Sequence, residues 1–251
     1  MKEKRPLVKR LAVLLAIALG GYGRTVRPRI LRWGATGEEA SRSFPGDELV
    51  PYPDGQTTMA TTLPARPEEV WAWLQQMGCD RAGWYSWDRL DNGGRPSARR
   101  IVPEWQDLKE GRHLDSLPNG KAWFTAVVVD PPRSLVLRAD LKLPSCASFD
   151  PQHWPLPPAY SGGIWGFHLE PAPDGETRLI VRTRGRGRPR PLMWAVDRLL
   201  GEPAHFVMQN HQFRNLRERF GGGHGELHLW HPFHVDGHRP AGEPSNRKHR
   251  P

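Results

Sequence analysis

The stretch "GGIWGFHLEPAPDGETRLIVRTR", residues 162–184, decides the fold. Trp165, Phe167 and Leu169 alternate with shorter or polar residues, which is the two-residue period of a strand. "PAPDG" then supplies turn chemistry, and "ETRLIVRTR" alternates again. Leu179 and Val181 answer the aromatic face, while Arg178, Arg182 and Arg184 point the other way. The pair predicts an antiparallel hairpin in a sheet with one dry and one wet face. His168, on the face opposite Trp165 and Phe167, is expected in solvent.

Working outward, "AWFTAVVVD", the turn "PPRS" and "LVLRADLKL" predict a second hairpin over 122–142, and "TTMATTL" at 57–63 a further strand. "PARPEEVWAWLQQMG" predicts a helix. Pro67 suits its first position, Glu68 and Glu69 suit the positive end of its dipole, and Gly78 suits its stop. Val70, Trp73, Leu74 and Met77 share one face of it. The segment "PLMWAVDRLLGEPAHFVMQNHQFRNLRERF" predicts two helices, 191–200 and 203–220, broken at Gly201 and Pro203. Phe206, Phe213, Leu216 and Phe220 form an apolar stripe on the second, with Gln209 and Asn210 on or beside it.

A chain of 251 residues with eleven tryptophans can bury one core unaided, and 26 glycines and 26 prolines favour a loop-rich fold over a bundle. The net charge of +9 is unevenly spread. Residues 1–33 hold nine Lys or Arg against one Glu, 221–251 hold four against three, and the body, 34–220, holds 23 of each sign. A neutral body argues against a nucleic-acid partner. The organisation read from this is a basic, apolar N-terminal segment (1–33), a linker (34–56), one domain (57–220) and a Gly/His-rich flexible tail (221–251).

Between Arg10 and Arg24 lie thirteen uncharged residues. As a helix they span about 20 Å, against roughly 30 Å of bilayer hydrocarbon. A secretory signal, a short anchor and an interfacial helix all remain open, and basic residues on both flanks favour membrane association. Secretion or a cytoplasmic location is the alternative.

The sequence "GWYSWDRLDNGGRPSARRIVPEW", 83–105, is rich in reactive side chains. No His or Lys stands near Ser86 to activate it, and no GxSxG elbow occurs. Ser86 reads instead as the N-cap of a short helix, Asp88 as a first-turn carboxylate, and "NGG" as its stop. Asp88 and Asp91 are expected in surface ion pairs with neighbouring arginines. The arginine run 182–191 reads as a solvated loop, with an anionic lipid surface as the alternative. Five histidines in 224–238 lack the fixed spacing of a zinc site, so no metal is expected, with a loose transition-metal site at His224 and His228, four apart, as the alternative. Cys79 and Cys146 lack CxxC spacing; pairing and two free thiols both remain open, and a structural buried thiol is the expectation for each.

Together "RWGAT", "PGDELV", "PEEVWAWLQQMG", "GWYSWDRLDN", "RIVPEWQDLKEG", "VDPPRSLVLR" and "WGFHLEP…GETRLIVRTR" resemble an uncharacterised bacterial branch of the START-like superfamily, also called SRPBCC or polyketide-cyclase-like. The resemblance covers about residues 30–220 and implies an α+β helix-grip fold, a curved antiparallel sheet around a long C-terminal helix. It implies a cavity for an apolar or amphipathic ligand such as a lipid, isoprenoid or polyketide-like molecule, without fixing one activity. Trp84, Tyr85, Trp123, Trp165, Gln209 and Asn210 are the expected cavity residues. No cofactor is called for. Binding is the favoured function, and a cyclase- or hydratase-type enzyme is the alternative.

Overall fold

Six strands form one antiparallel sheet in the order β1-β6-β5-β4-β3-β2. They are β1 (Gly55–Leu63), β2 (His113–Asp115), β3 (Trp123–Asp130), β4 (Ser134–Lys142), β5 (Tyr160–Pro171) and β6 (Thr177–Arg188). The structure is a computed structural model and describes residues 20–221. Its helices are α1 (Arg27–Ile30), α2 (Gly37–Ser41), α3 (Pro67–Leu74), α4 (Asp88–Asp91), α5 (Arg190–Val196) and α6 (Glu202–Phe220). The N-terminal part of the apolar segment, 1–19, and the histidine-rich tail, 222–251, lie outside the described residues.

The hairpins expected from alternation are β3–β4 and β5–β6, the second in continuous register from Tyr160↔Arg188 to Pro171↔Thr177. Trp165, Phe167, Leu169, Leu179 and Val181 lie on the inner face with Leu135, Leu137 and Met59, in the main core. Onto this face pack α3, through Val70, Trp71, Trp73 and Leu74, and α6, through Phe213 and Leu216. Each such buried side chain contributes about 1.5–3 kcal/mol. Helix α3 ends at Leu74, one turn short of the expected glycine stop.

The outer face is not wet. Residues 34–56, expected as a linker, pack across it and bury Phe44 and Val50 against Ala60, Ile180, Val136 and Ile164. The outward arginines therefore meet backbone carbonyls and a carboxylate of this segment. Arg182 is 1% exposed and donates to the carbonyls of Glu39 and Arg42. Arg178 binds the Glu39 carboxylate at 2.7 Å, holding it below the usual carboxylate range, and Arg184 donates to the carbonyls of Asp47 and Pro51. His168 is buried too, stacked on Phe44 at 4.6 Å and 3.1 Å from the Ser134 hydroxyl. Burial and the nearby Arg182 and Arg42 push its pKa down to about 3, so it is neutral at physiological pH. The expected solvated loop 182–191 is largely the end of β6.

The free edge of β1 is closed by residues 31–33, since Thr58 N–H donates to the Leu31 carbonyl and Ala60 N–H to that of Trp33. Gly34 turns the chain away with φ +72°, and a Cβ there would sit 2.1 Å from the Ala60 oxygen. No other residue fits. At the other end, the break expected at Gly201 and Pro203 is absent. Asp197–Gly201 forms a π-helical turn joining α5 to α6, Gly201 keeps helical angles, and Pro203 falls in the first turn of α6, where no N–H is missed.

Candidate functional site

Between the inner face and α6 lies a cavity of about 500 Å³. Its floor is aromatic. Trp84, from the loop before α4, lies 5.2 Å from Phe124 on β3 and 5.6 Å from Trp165 on β5, and Phe124 and Trp165 are 5.7 Å apart. Met208, Leu90 and Leu117 add aliphatic wall, and Ser86, Asp91, Ser116, Thr183, His205, Gln209 and Gln212 add polar groups. A second cavity of about 400 Å³ shares Phe124, Trp165, Thr183 and His205 with the first. Gly162, Gly163, Gly185 and Gly187 line it, so side-chain-free strands leave its space, while Met193, Trp194 and Val196 of α5 cover it.

A relay of amides fixes the wall facing α6. The Trp165 indole N–H donates to Gln209 Oε1 at 3.3 Å, Gln209 Nε2 donates to Gln212 Oε1 at 2.8 Å, and Gln212 Nε2 donates to the Trp84 carbonyl at 2.8 Å. Both glutamines are buried. With every link made, the relay ties two of the three floor rings to one helix.

Of the six residues expected from sequence, Trp84, Trp165 and Gln209 line the cavity. Three do not. Tyr85 is wholly buried in the core, its hydroxyl donating to the Trp73 carbonyl and accepting from Gln76 Nε2, and burial pushes its pKa up. Its φ of +56° turns it away from the direction of Trp84. Trp123 stands on the other face of β3 from Phe124 and stacks on His113 at 5.1 Å. Asn210 donates back to the Phe206 carbonyl, one turn earlier in α6. Trp87 is half-exposed and stacked on His211 at 4.3 Å.

The carboxylates of α4 also depart from expectation. Among the described residues neither Asp88 nor Asp91 joins an ion pair. Asp88 accepts from the Ser97 N–H and hydroxyl. Asp91 is buried in the cavity wall, and neither carboxylate oxygen has a hydrogen bond of good geometry. Desolvation, reinforced by the charge of Asp88, pushes its pKa up to about 6. Ser86, expected as the N-cap, instead donates to the Met208 carbonyl and ties this loop to α6. Across the cavity, His205 Nε2 is buried without a partner, and burial lowers that residue's pKa to about 4. A largely ionised carboxylate and a neutral imidazole thus line one apolar space at neutral pH.

Among the described residues no group of three or more His, Cys, Asp or Glu is arranged to hold a metal, and the histidine tail lies outside them. Cys79 is a buried free thiol, whereas Cys146, expected to be buried, is exposed. Among the described residues no helix is long and apolar enough to cross a membrane.

The protein thus has a curved antiparallel sheet closed by a long last helix, with a cavity between them. The fold is the helix-grip fold. No protein-family model matches the chain, and no curated protein matches its sequence. Solved structures similar to it include protein MLL2253 from Mesorhizobium loti, 18% identical, covering 66% of this chain and 96% of its own, with a TM-score of 0.40. Protein Ms6760 from Mycobacterium smegmatis is 14% identical, covers 68% of this chain and 93% of its own, and scores 0.41. The AHSA1 (SPO3351) protein from Silicibacter pomeroyi is 16% identical, covers 65% of this chain and 96% of its own, and scores 0.37. Neither ligand nor activity follows from likenesses at this level, so the chemistry of this helix-grip domain rests on its own residues.

Proposed function

We propose that the protein binds a small apolar or amphipathic molecule, of the lipid, isoprenoid or polyketide-like kind, in the cavity under α6. One observation carries the reading: a space of about 500 Å³ floored by the packed rings of Trp84, Phe124 and Trp165, whose wall surface is mostly apolar although polar side chains share the lining. That volume falls in the range of small-molecule sites, and a mostly apolar, aromatic surface with placed polar groups is their usual composition. A ligand burying on the order of 300 Å² of apolar surface gains about 7 kcal/mol before ordering costs. The amide relay holds the floor in place before a ligand arrives, which lowers those costs.

Native mass spectrometry of the protein purified from the cells that make it tests this. The expected spectrum shows one retained apolar molecule per chain, lost when Met208→Trp fills the wall. A chain that carries nothing, and takes up no apolar probe afterwards, would overturn the reading.

A second reading, acid–base catalysis on such a ligand, is favoured by Asp91. A desolvated carboxylate with a pKa near 6 beside an apolar space is suited to take a proton from a carbon acid or hydroxyl and return it. Incubating the retained molecule with wild-type protein and with Asp91→Asn separates the two readings. Conversion by the wild type alone supports catalysis, and an unchanged molecule in both leaves binding as the function.

A further inference from the structure

The helical run from α5 through the π-turn into α6 has two faces with opposite surroundings. Its inner face, with Met193, His205 and Met208, walls the two cavities. Along its outer side Leu192, Leu199, Leu200 and Val207 are 52–66% exposed, spaced seven, one and seven residues apart, and Val196 and Trp194, at the rim of the second cavity, are 40% and 51% exposed. Isolated exposed apolar residues need no explanation, but a ridge along one side of a helix does. On folding grounds alone it is a cost.

The surroundings of the ridge are basic. Arg198 lies over the Trp194 ring at 4.2 Å, Arg190 sits at the start of α5, and Arg186 and Arg188 are exposed at the end of β6. Beside it runs the end of the N-terminal basic segment, anchored by the bidentate pair of Arg27 with Glu202 at 2.6 and 2.7 Å. Arg24 and Arg29 on that segment are exposed, and the chain is already helical at Gly20, where the apolar run 11–19 joins it. Asp197 is the exposed acid of the run, and Asp54 is taken up by Arg190. An apolar ridge with arginines on its flanks, next to the root of an apolar N-terminal run, has the amphipathic make-up of a helix lying in a membrane interface.

We propose that this ridge docks on an anionic lipid bilayer. The ridge enters the outer part of one leaflet, with the flanking arginines at headgroup depth. Because the inner side of the same helices covers the cavities, docking places the cavities directly beneath the bilayer surface. The inference is independent of what the cavity binds.

The test uses the full chain, residues 1–19 included, with vesicles of phosphatidylglycerol and phosphatidylcholine and with pure phosphatidylcholine vesicles as control. Leu199→Glu combined with Leu200→Glu places two charges on the ridge at positions 66% exposed, so folding is expected to be unaffected, as circular dichroism verifies. The expected result is at least a tenfold fall in sedimentation with the anionic vesicles, together with weaker wild-type binding to the neutral ones. Quenching of tryptophan fluorescence by brominated lipid is expected to fall when Trp194→Phe is introduced. Undiminished vesicle binding by the folded double variant would overturn the proposal. So would a wild-type dimer in solution that the double variant abolishes while vesicle binding is unchanged, because the ridge would then be an interface between copies of this chain.

Discussion

Replacing Asp91 with Asn is expected to stabilise the protein at neutral and alkaline pH. The carboxylate is buried, joins no ion pair, and has a pKa pushed from 3.8 to about 6. A folded-state pKa above the unfolded one means that the native state holds a proton the unfolded state has released. The contribution is therefore fully present below about pH 4, is lost as pH rises toward 6, and stays constant above. Two pKa units correspond to about 3 kcal/mol at most, and partial solvation by the cavity reduces this to roughly 2 kcal/mol. For a domain of this size that is a rise in Tm of roughly 4–8 °C. Urea denaturation of wild type and Asp91→Asn at pH 4, 6 and 8 reads it directly. The variant should be indistinguishable at pH 4 and more stable at pH 8. Equal stability at both, or parallel pH profiles, would refute the argument, because the carboxylate would then have a partner in solution.

Three other substitutions address the scaffold. Arg182→Ala leaves the Glu39 and Arg42 carbonyls without their buried donor and opens a void beneath Phe44; a loss of roughly 3–4 kcal/mol in urea denaturation is expected. Gly34→Ala drives a Cβ against the Ala60 carbonyl at a positive φ, and should lower the Tm by several degrees where Gly37→Ala, with open space, does not. Glu202→Ala removes the partner of Arg27, so limited proteolysis after Arg24 or Arg29 should speed up while the sheet's unfolding midpoint moves by about 1–3 kcal/mol or less.

The sheet was legible because strand period and turn chemistry are local: Trp165 to Val181 spell one face without reference to anything else. What covers the other face is not local. Arg178, Arg182 and Arg184 alternate as solvent-facing residues do, and only the packing of residues 34–51 turns them into donors to Glu39, Arg42, Asp47 and Pro51, Arg182 buried and the other two partly so. The cavity divides in the same way. Trp84, Trp165 and Gln209 fall where an aromatic body or an amide on an apolar stripe suggests, whereas Trp123 and Phe124 exchange places because adjacent residues of a strand face opposite ways. A single left-handed residue, Tyr85, reverses its own direction, and no periodicity reports that. Asp91 was hidden among arginines that are near in sequence, of which Arg95 turns elsewhere in space and reaches the Cys79 carbonyl.

Titration with an uncharged apolar fluorophore tests the ligand-binding reading most directly, because Trp84 and Trp165 floor the cavity and would transfer energy to a probe bound there. Wild-type protein is expected to show saturable binding of one probe per chain, and Met208→Trp to lose it with an unchanged Tm. Saturation by the wild type with undiminished binding by the filled variant, or binding that never saturates, would contradict a ligand site under α6.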